Sequence, residues 1–101
     1  MKDKILSLLG LAERAGKIAS GEFASEKAVK TGKACLVIVA EDASENTKKK
    51  FSDMCSYYQV PIAYYSQKNM LGHGIGKELR ASLAVLDSGF AKAIEKQLDN
   101  K

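Results

Sequence analysis

Along this chain the apolar positions change period in step with the glycines. Ile5, Leu8, Leu9 and Ala12 fall at the i, i+3, i+4, i+7 spacing of a helix with one inward face, and Gly16 closes it. A short strand-like piece, Lys17-Ile18-Ala19, leads to Ser20-Gly21, a start signal for a second helix over residues 22–31 that Gly32 ends. The run Cys35-Leu36-Val37-Ile38-Val39-Ala40 is apolar without alternation and predicts a buried strand. Ser44 is placed to cap a third helix, in which Phe51, Met54, Cys55 and Tyr58 repeat at helical spacing.

Pro61 opens the next strand, Ile62-Ala63-Tyr64-Tyr65, at one of the few positions where a sheet tolerates proline. A short helix near 67–71 follows. Three glycines within Gly72-His73-Gly74-Ile75-Gly76 predict a loop, because glycine removes side-chain restraint and permits positive φ. Ala81-Ser82-Leu83-Ala84-Val85-Leu86 predicts the last strand, and Ser88 is expected to cap a final helix with Phe90, Ala91, Ile94 and Leu98 inward. Helices alternate with strands throughout, so the expected fold is an α/β class, three-layer α/β/α sandwich on a four-stranded mixed sheet, one domain over residues 1–101.

Composition narrows the class. At 46% hydrophobic and 28% charged residues the chain is too apolar for a disordered one, and its length suffices for a core without metals or disulfides. Cys35 and Cys55 are too far apart for a metal-binding pair and are expected to be buried thiols in a reducing compartment, the cytoplasm. Met1-Lys2-Asp3-Lys4 and the apolar residues after it imitate a secretory signal. Glu13-Arg14 stands where a cleavage site would be, and the spacing is that of an amphipathic helix. No apolar run is long enough to span a membrane. Sixteen basic against twelve acidic residues suit a polyanion-binding protein; residues 87–101 hold three of each sign, so the whole excess lies before the last helix.

Enzymatic chemistry finds few candidates. His73 is the only histidine, and neither cysteine has a base nearby in sequence, so no metal set or activated nucleophile is expected and no cofactor is implied. Gly72-His73-Gly74-Ile75-Gly76-Lys77 fails as a phosphate loop, because only three residues separate Gly72 from Gly76 and Glu78 follows the lysine. What remains is a cation-tipped glycine loop able to press its backbone on a phosphate or an unstacked base. The start of the second helix, Gly21-Glu22-Phe23, offers free N–H groups and a positive dipole end, with Lys27, Lys30 and Lys33 following at roughly helical spacing. Against that, Glu26 and Lys30 form an ordinary i, i+4 surface pair, and Lys48-Lys49-Lys50 points around more than one helix face. Phe51, Tyr58, Tyr64 and Tyr65 suit the core or its rim, leaving Phe23 as the aromatic free to stack.

Taken in order, Gly21 to Ala34, Leu36 to Ala43, Val60-Pro61, and Leu71-Gly72 through Gly76-Lys77 resemble the L7Ae/L30e family of kink-turn-binding ribosomal proteins, most of all its small bacterial ribosomal-protein-like members. The likeness runs from about residue 4 to residue 94. It implies an α/β/α sandwich that binds RNA bent at tandem sheared G·A pairs, through the start of the second helix and the glycine-rich loop 71–77. Position by position, Gly21 and Lys27 match the motif's first glycine and its lysine, facing the G·A pairs and adjoining phosphates. Lys68 matches a lysine reaching the backbone near the extruded nucleotide, and Leu71, Gly72, Gly74, Ile75 and Gly76 the loop that packs on it; Lys77 resembles the eukaryotic large-subunit member. Phe23-Ala24 departs from the family's Asn-Glu pair, which hydrogen-bonds the guanines. The expected partner is therefore structured RNA, a kink-turn within ribosomal RNA or a riboswitch, bound by a monomer with a ribosome-associated or RNA-chaperone-like role. The alternative is a protein-interaction module that keeps the fold with weakened RNA binding.

Overall fold

The computed structural model describes residues 3–100; Met1, Lys2 and Lys101, which enter the domain and charge expectations, lie outside them. The first apolar stripe becomes helix α1, Lys4–Arg14, with Ile5, Leu9 and Ala12 buried. Asp3 caps it by accepting from Leu6 N at 3.0 Å, and its other oxygen accepts the Tyr65 hydroxyl, which ties this cap to the middle of the chain. Then follow β1 (Ile18–Ser20), α2 (Glu22–Lys30), β2 (Leu36–Val39), α3 (Glu45–Tyr58), β3 (Ile62–Tyr64), α4 (Lys68–Gly74), β4 (Ser82–Val85) and α5 (Ser88–Asp99).

The sheet has the order β1-β4-β2-β3, with β4 antiparallel to both its neighbours and β2 parallel to β3. Every residue of β2 and β4 is buried, as expected of central strands, with Ser82 the one polar residue among them, whereas the edge strands β1 and β3 are only partly covered. Helix α1 packs with α4 and α5, and α2 with α3, which gives the three-layer sandwich. Phe51, Leu9, Leu36, Ile38, Leu71, Leu83 and Ile94 are its largest fully buried side chains. Ser44 caps α3 as expected, accepting from Thr47 N at 3.1 Å.

Two local expectations are corrected. Gly72, His73 and Gly74 are not loop: α4 continues through Gly74, and of the three glycines only Gly76 has positive φ, +72°. The glycines here serve close approach. A Cβ on Gly72 would stand 1.5 Å from Glu78 O, and one on Gly10 of α1 would stand 2.9 Å from Gly74 O. The chain leaving α4 folds back on it, with Lys77 N donating to Gly72 O at 2.8 Å and Arg80 N to Lys68 O at 3.1 Å. The second correction concerns α5, which is capped by Asp87 and not Ser88. Strand β4 ends at Val85, which leaves Asp87 extended, and its carboxylate accepts from Phe90 N at 2.9 Å.

Lesser differences lie at surfaces. Cys55 is buried, and desolvation pushes its thiol up to about 11, but Cys35 is only partly covered. Tyr65 is buried, whereas Tyr58 and Tyr64 lie on the rim.

Replacing Gly72 by Ala should destabilise the protein by roughly 3 kcal/mol, a fall in Tm of more than about 10 °C by thermal circular dichroism, because the new methyl meets backbone. Gly74→Ala, whose Cβ would lie at an ordinary 3.5 Å from Leu6, should melt close to the parent. Equal melting of both variants would show that α4 and Glu78 do not pack this way.

Candidate functional site

Gly21 sets up an open polar feature at the start of α2. At φ +94° and ψ 164° it turns the chain from β1 into α2 in a conformation that L side chains rarely adopt, and no side chain caps the helix. The first-turn N–H groups of Glu22, Phe23 and Ala24 thus carry the positive end of the helix dipole without a side-chain acceptor. Gly21 N donates to Ser82 O at 2.9 Å and Gly21 O accepts from Ser25 N at 3.0 Å, so both sides of the turn are held.

That bond to Ser82 decides what lies beside the helix start. In the antiparallel β1–β4 pair Ile18 stands opposite Val85 and Ser20 opposite Leu83, so the residues before Ser82 must run alongside those after Ser20. An open groove of about 470 Å³ results, lined by Gly21, Glu22, Phe23, Leu79, Arg80 and Ala81 among others. Arg80 is fixed at it: Nε donates to Ser20 Oγ at 3.2 Å and Nη1 to Leu79 O at 2.8 Å. Phe23 and Leu79, 80% and 61% exposed, stand over the groove as uncovered apolar groups.

Helical spacing sorts the side chains of α2 into faces. Ser25, Ala28 and Val29 are buried. Glu22, Glu26 and Lys30 share the i, i+4, i+8 stripe turned to α3, where Lys50 Nζ reaches Glu26 Oε1 at 2.7 Å and Glu22 Oε2 at 3.0 Å, while Lys30 Nζ donates to Glu26 Oε2 at 2.7 Å. Hydrogen bonds from Lys30 and then Lys50 hold the Glu26 carboxyl down at about 2. Phe23, Lys27 and Thr31 form the next stripe. Lys27 and Lys33 are exposed, and no carboxylate pairs with either among the described residues.

The other predicted positions divide. Lys68 comes near the groove, its backbone N–H donating to Asp42 Oδ1 at 2.9 Å and its carbonyl accepting from Arg80. Leu71, Gly72 and Ile75 are buried and shape the turn from inside. His73 is exposed on α4, Gly74 lies against Leu6 of α1, and Lys77 Nζ turns back to Glu13 Oε2 of α1 at 3.8 Å. The structure therefore joins the α2 start to residues 79–81; of the predicted loop's glycines, Gly72 packs against Glu78 and Arg80, and Gly74 against α1. Leu79 and Arg80 carry no motif of their own. Only the strand pairing, in which β4 lies beside β1, could have found them.

Among the described residues no group of three or more His, Cys, Asp or Glu is placed to hold a metal ion, and no helix is long and apolar enough to cross a membrane.

The family model for "Ribosomal protein L7Ae/L30e/S12e/Gadd45 family" matches residues 3–95. The chain is 48% identical over 92 residues to the RNA-binding protein YlxQ of Bacillus subtilis (strain 168), covering 91% of this chain and 92% of that one. It is 41% identical over 98 residues to the RNA-binding protein YlxQ of Enterococcus faecium, covering 97% and 94%. Among solved structures, a Bacillus halodurans C protein of unknown function superposes with a TM-score of 0.93 at 43% identity, over 97% of this chain and 99% of that one. The Giardia lamblia 15.5kD RNA binding protein shares the fold, with a TM-score of 0.80 at 20% identity over 99% and 89%.

Lys50→Met should raise the Glu26 titration midpoint, read by NMR of its carboxyl carbon, from about 2 towards the ordinary 4.5. Because the folded-state value is depressed, the pair stabilises the fold above about 4.5 and that contribution is lost as pH falls through about 2. An unmoved midpoint would mean that Lys50 does not hold this carboxylate.

Proposed function

Since the chain belongs to the L7Ae/L30e/S12e/Gadd45 family of ribosomal proteins, we propose that it binds structured RNA, and specifically a kink-turn, at the start of α2 and the segment 79–81 beside it. Membership places it among binding proteins and not among enzymes. The observation that carries the proposal is the uncapped Gly21 turn beside Arg80: open backbone donors, a helix dipole and a guanidinium meet at one groove, while both α2 carboxylates are drawn off by Lys50 and Lys27 stands exposed one turn further along α2. A kink-turn brings phosphates close together at its bend, and such a surface neutralises them. Phe23 and Ala24 stand where relatives commonly carry Asn-Glu and offer guanine edges no hydrogen bonds, so recognition rests on bend and phosphate placement more than on base identity. Lys68, whose backbone carbonyl accepts from Arg80 N, adds a further cation in the same segment of the chain. The RNA is then ribosomal RNA or a riboswitch, bound by a monomer in a ribosome-associated or chaperone-like role.

The exposure of Phe23 and Leu79 favours one second reading, a protein-docking module. Salt dependence separates the two, because phosphate contacts make log K fall steeply with log salt and apolar docking does not.

A kink-turn hairpin should bind more tightly than an uninterrupted duplex of equal length in filter-binding titrations; equal affinities would count against the kink-turn. Lys27→Ala should cost roughly 1–2 kcal/mol of RNA affinity and lower the salt slope by about one, with Tm unchanged because the side chain is exposed. A large fall in Tm with affinity intact would make Lys27 structural.

A further inference from the structure

A second groove, of about 330 Å³, runs along α2 on the side of Phe23 away from Gly21. Its floor is apolar, with Ala28 buried and Ala19 and Leu86 partly so, and its rim carries Phe23, Lys27 and Lys33. No acidic side chain lines it, because the carboxylates of α2 lie on the neighbouring stripe and are held by Lys50 and Lys30. Phe23 belongs to both grooves and forms the ridge between them.

We propose that this groove takes an unpaired nucleotide of a single-stranded RNA segment, its base against the Phe23 ring and the apolar floor, its phosphates beside Lys27 and Lys33. The inference rests on the RNA-binding reading and adds to it a place for single-stranded RNA next to the structured element. Three features point to this occupant. A phenyl ring that is 80% exposed gives up hydrophobic stabilisation unless a ligand covers it. Every base has a π-face, so an aromatic beside a cationic rim binds single strands without reading sequence. The two lysines on this rim, Lys27 and Lys33, have no carboxylate partner among the described residues, so both are open to an external anion here.

The test uses the full chain, a labelled hexauridylate and a matching abasic sugar-phosphate hexamer, with fluorescence anisotropy at fixed salt. The parent protein should bind hexauridylate roughly tenfold more tightly than the abasic strand, the order expected from one base stacked on an aromatic ring. Phe23→Ala should remove that preference and Phe23→Tyr should keep it, with circular dichroism confirming that both fold. Lys33→Ala should weaken binding of both strands and lower the salt slope by about one. Equal affinity of the parent for the two strands, or a preference that survives Phe23→Ala, overturns the proposal. A kink-turn hairpin measured alongside separates the failures: hairpin binding without base preference sinks the groove alone, and no binding to any RNA sinks both readings. Self-association abolished by Phe23→Ala, with no hexauridylate binding, would give the groove to a second copy of the chain.

Discussion

The hydrogen bond from Gly21 N to Ser82 O, 2.9 Å long, joins the turn that starts α2 to the residue that starts β4. Both ends of it are constrained. Gly21 needs a positive φ, and Ser82 is fixed by a strand that pairs on both sides, with β1 and with β2. Because the β1–β4 register is antiparallel, this one contact carries the chain arriving from α4 past the helix start and sets Arg80 and Leu79 beside open backbone N–H groups. The tight return of that chain needs Gly72, whose missing side chain leaves room for Glu78. A groove with both backbone donors and a guanidinium is thus a consequence of sheet pairing and of one residue's absent Cβ.

Charge is sorted by the period of α2. Residues four apart share a stripe, so Glu22, Glu26 and Lys30 face α3 and Phe23, Lys27 and Thr31 face solvent. Lys50, from α3, completes the separation by binding both glutamates. What the helix shows to a polyanion is then more positive than its composition, in which two acidic residues offset two lysines. The ion pairs are surface ones and add little to stability. Their consequence lies in where they leave the negative charge.

Much of this was legible beforehand because it followed from periodicity. The unbroken apolar run at Leu36–Val39, the stripe of α1, the Ser44 cap and the alternation that makes a covered sheet all survive in the structure. The Gly21 helix start was legible for the same reason: a glycine at a helix start is a local signal. The glycines at 72 and 74 were misleading, since glycine permits both positive φ and close approach, and only the packing of α4 against Glu78 and α1 decides between them. Leu79 and Arg80 were invisible because their relevance arises from a strand pairing more than sixty residues apart in sequence. The Lys50 pairing, 28 residues from Glu22, is likewise a tertiary fact, and Lys48-Lys49-Lys50 had no feature marking its last member.

The claim on which all of this turns is that RNA meets the α2 start and residues 79–81 together. Amide chemical-shift mapping of the isotope-labelled protein with a kink-turn hairpin addresses it directly. The largest changes should fall on Gly21, Glu22, Phe23, Lys27, Leu79, Arg80 and Ala81, with β3 and the outer face of α5 unmoved. Changes centred on α5, β3 or the Tyr57 end of α3, with Gly21 and Arg80 silent, would contradict it.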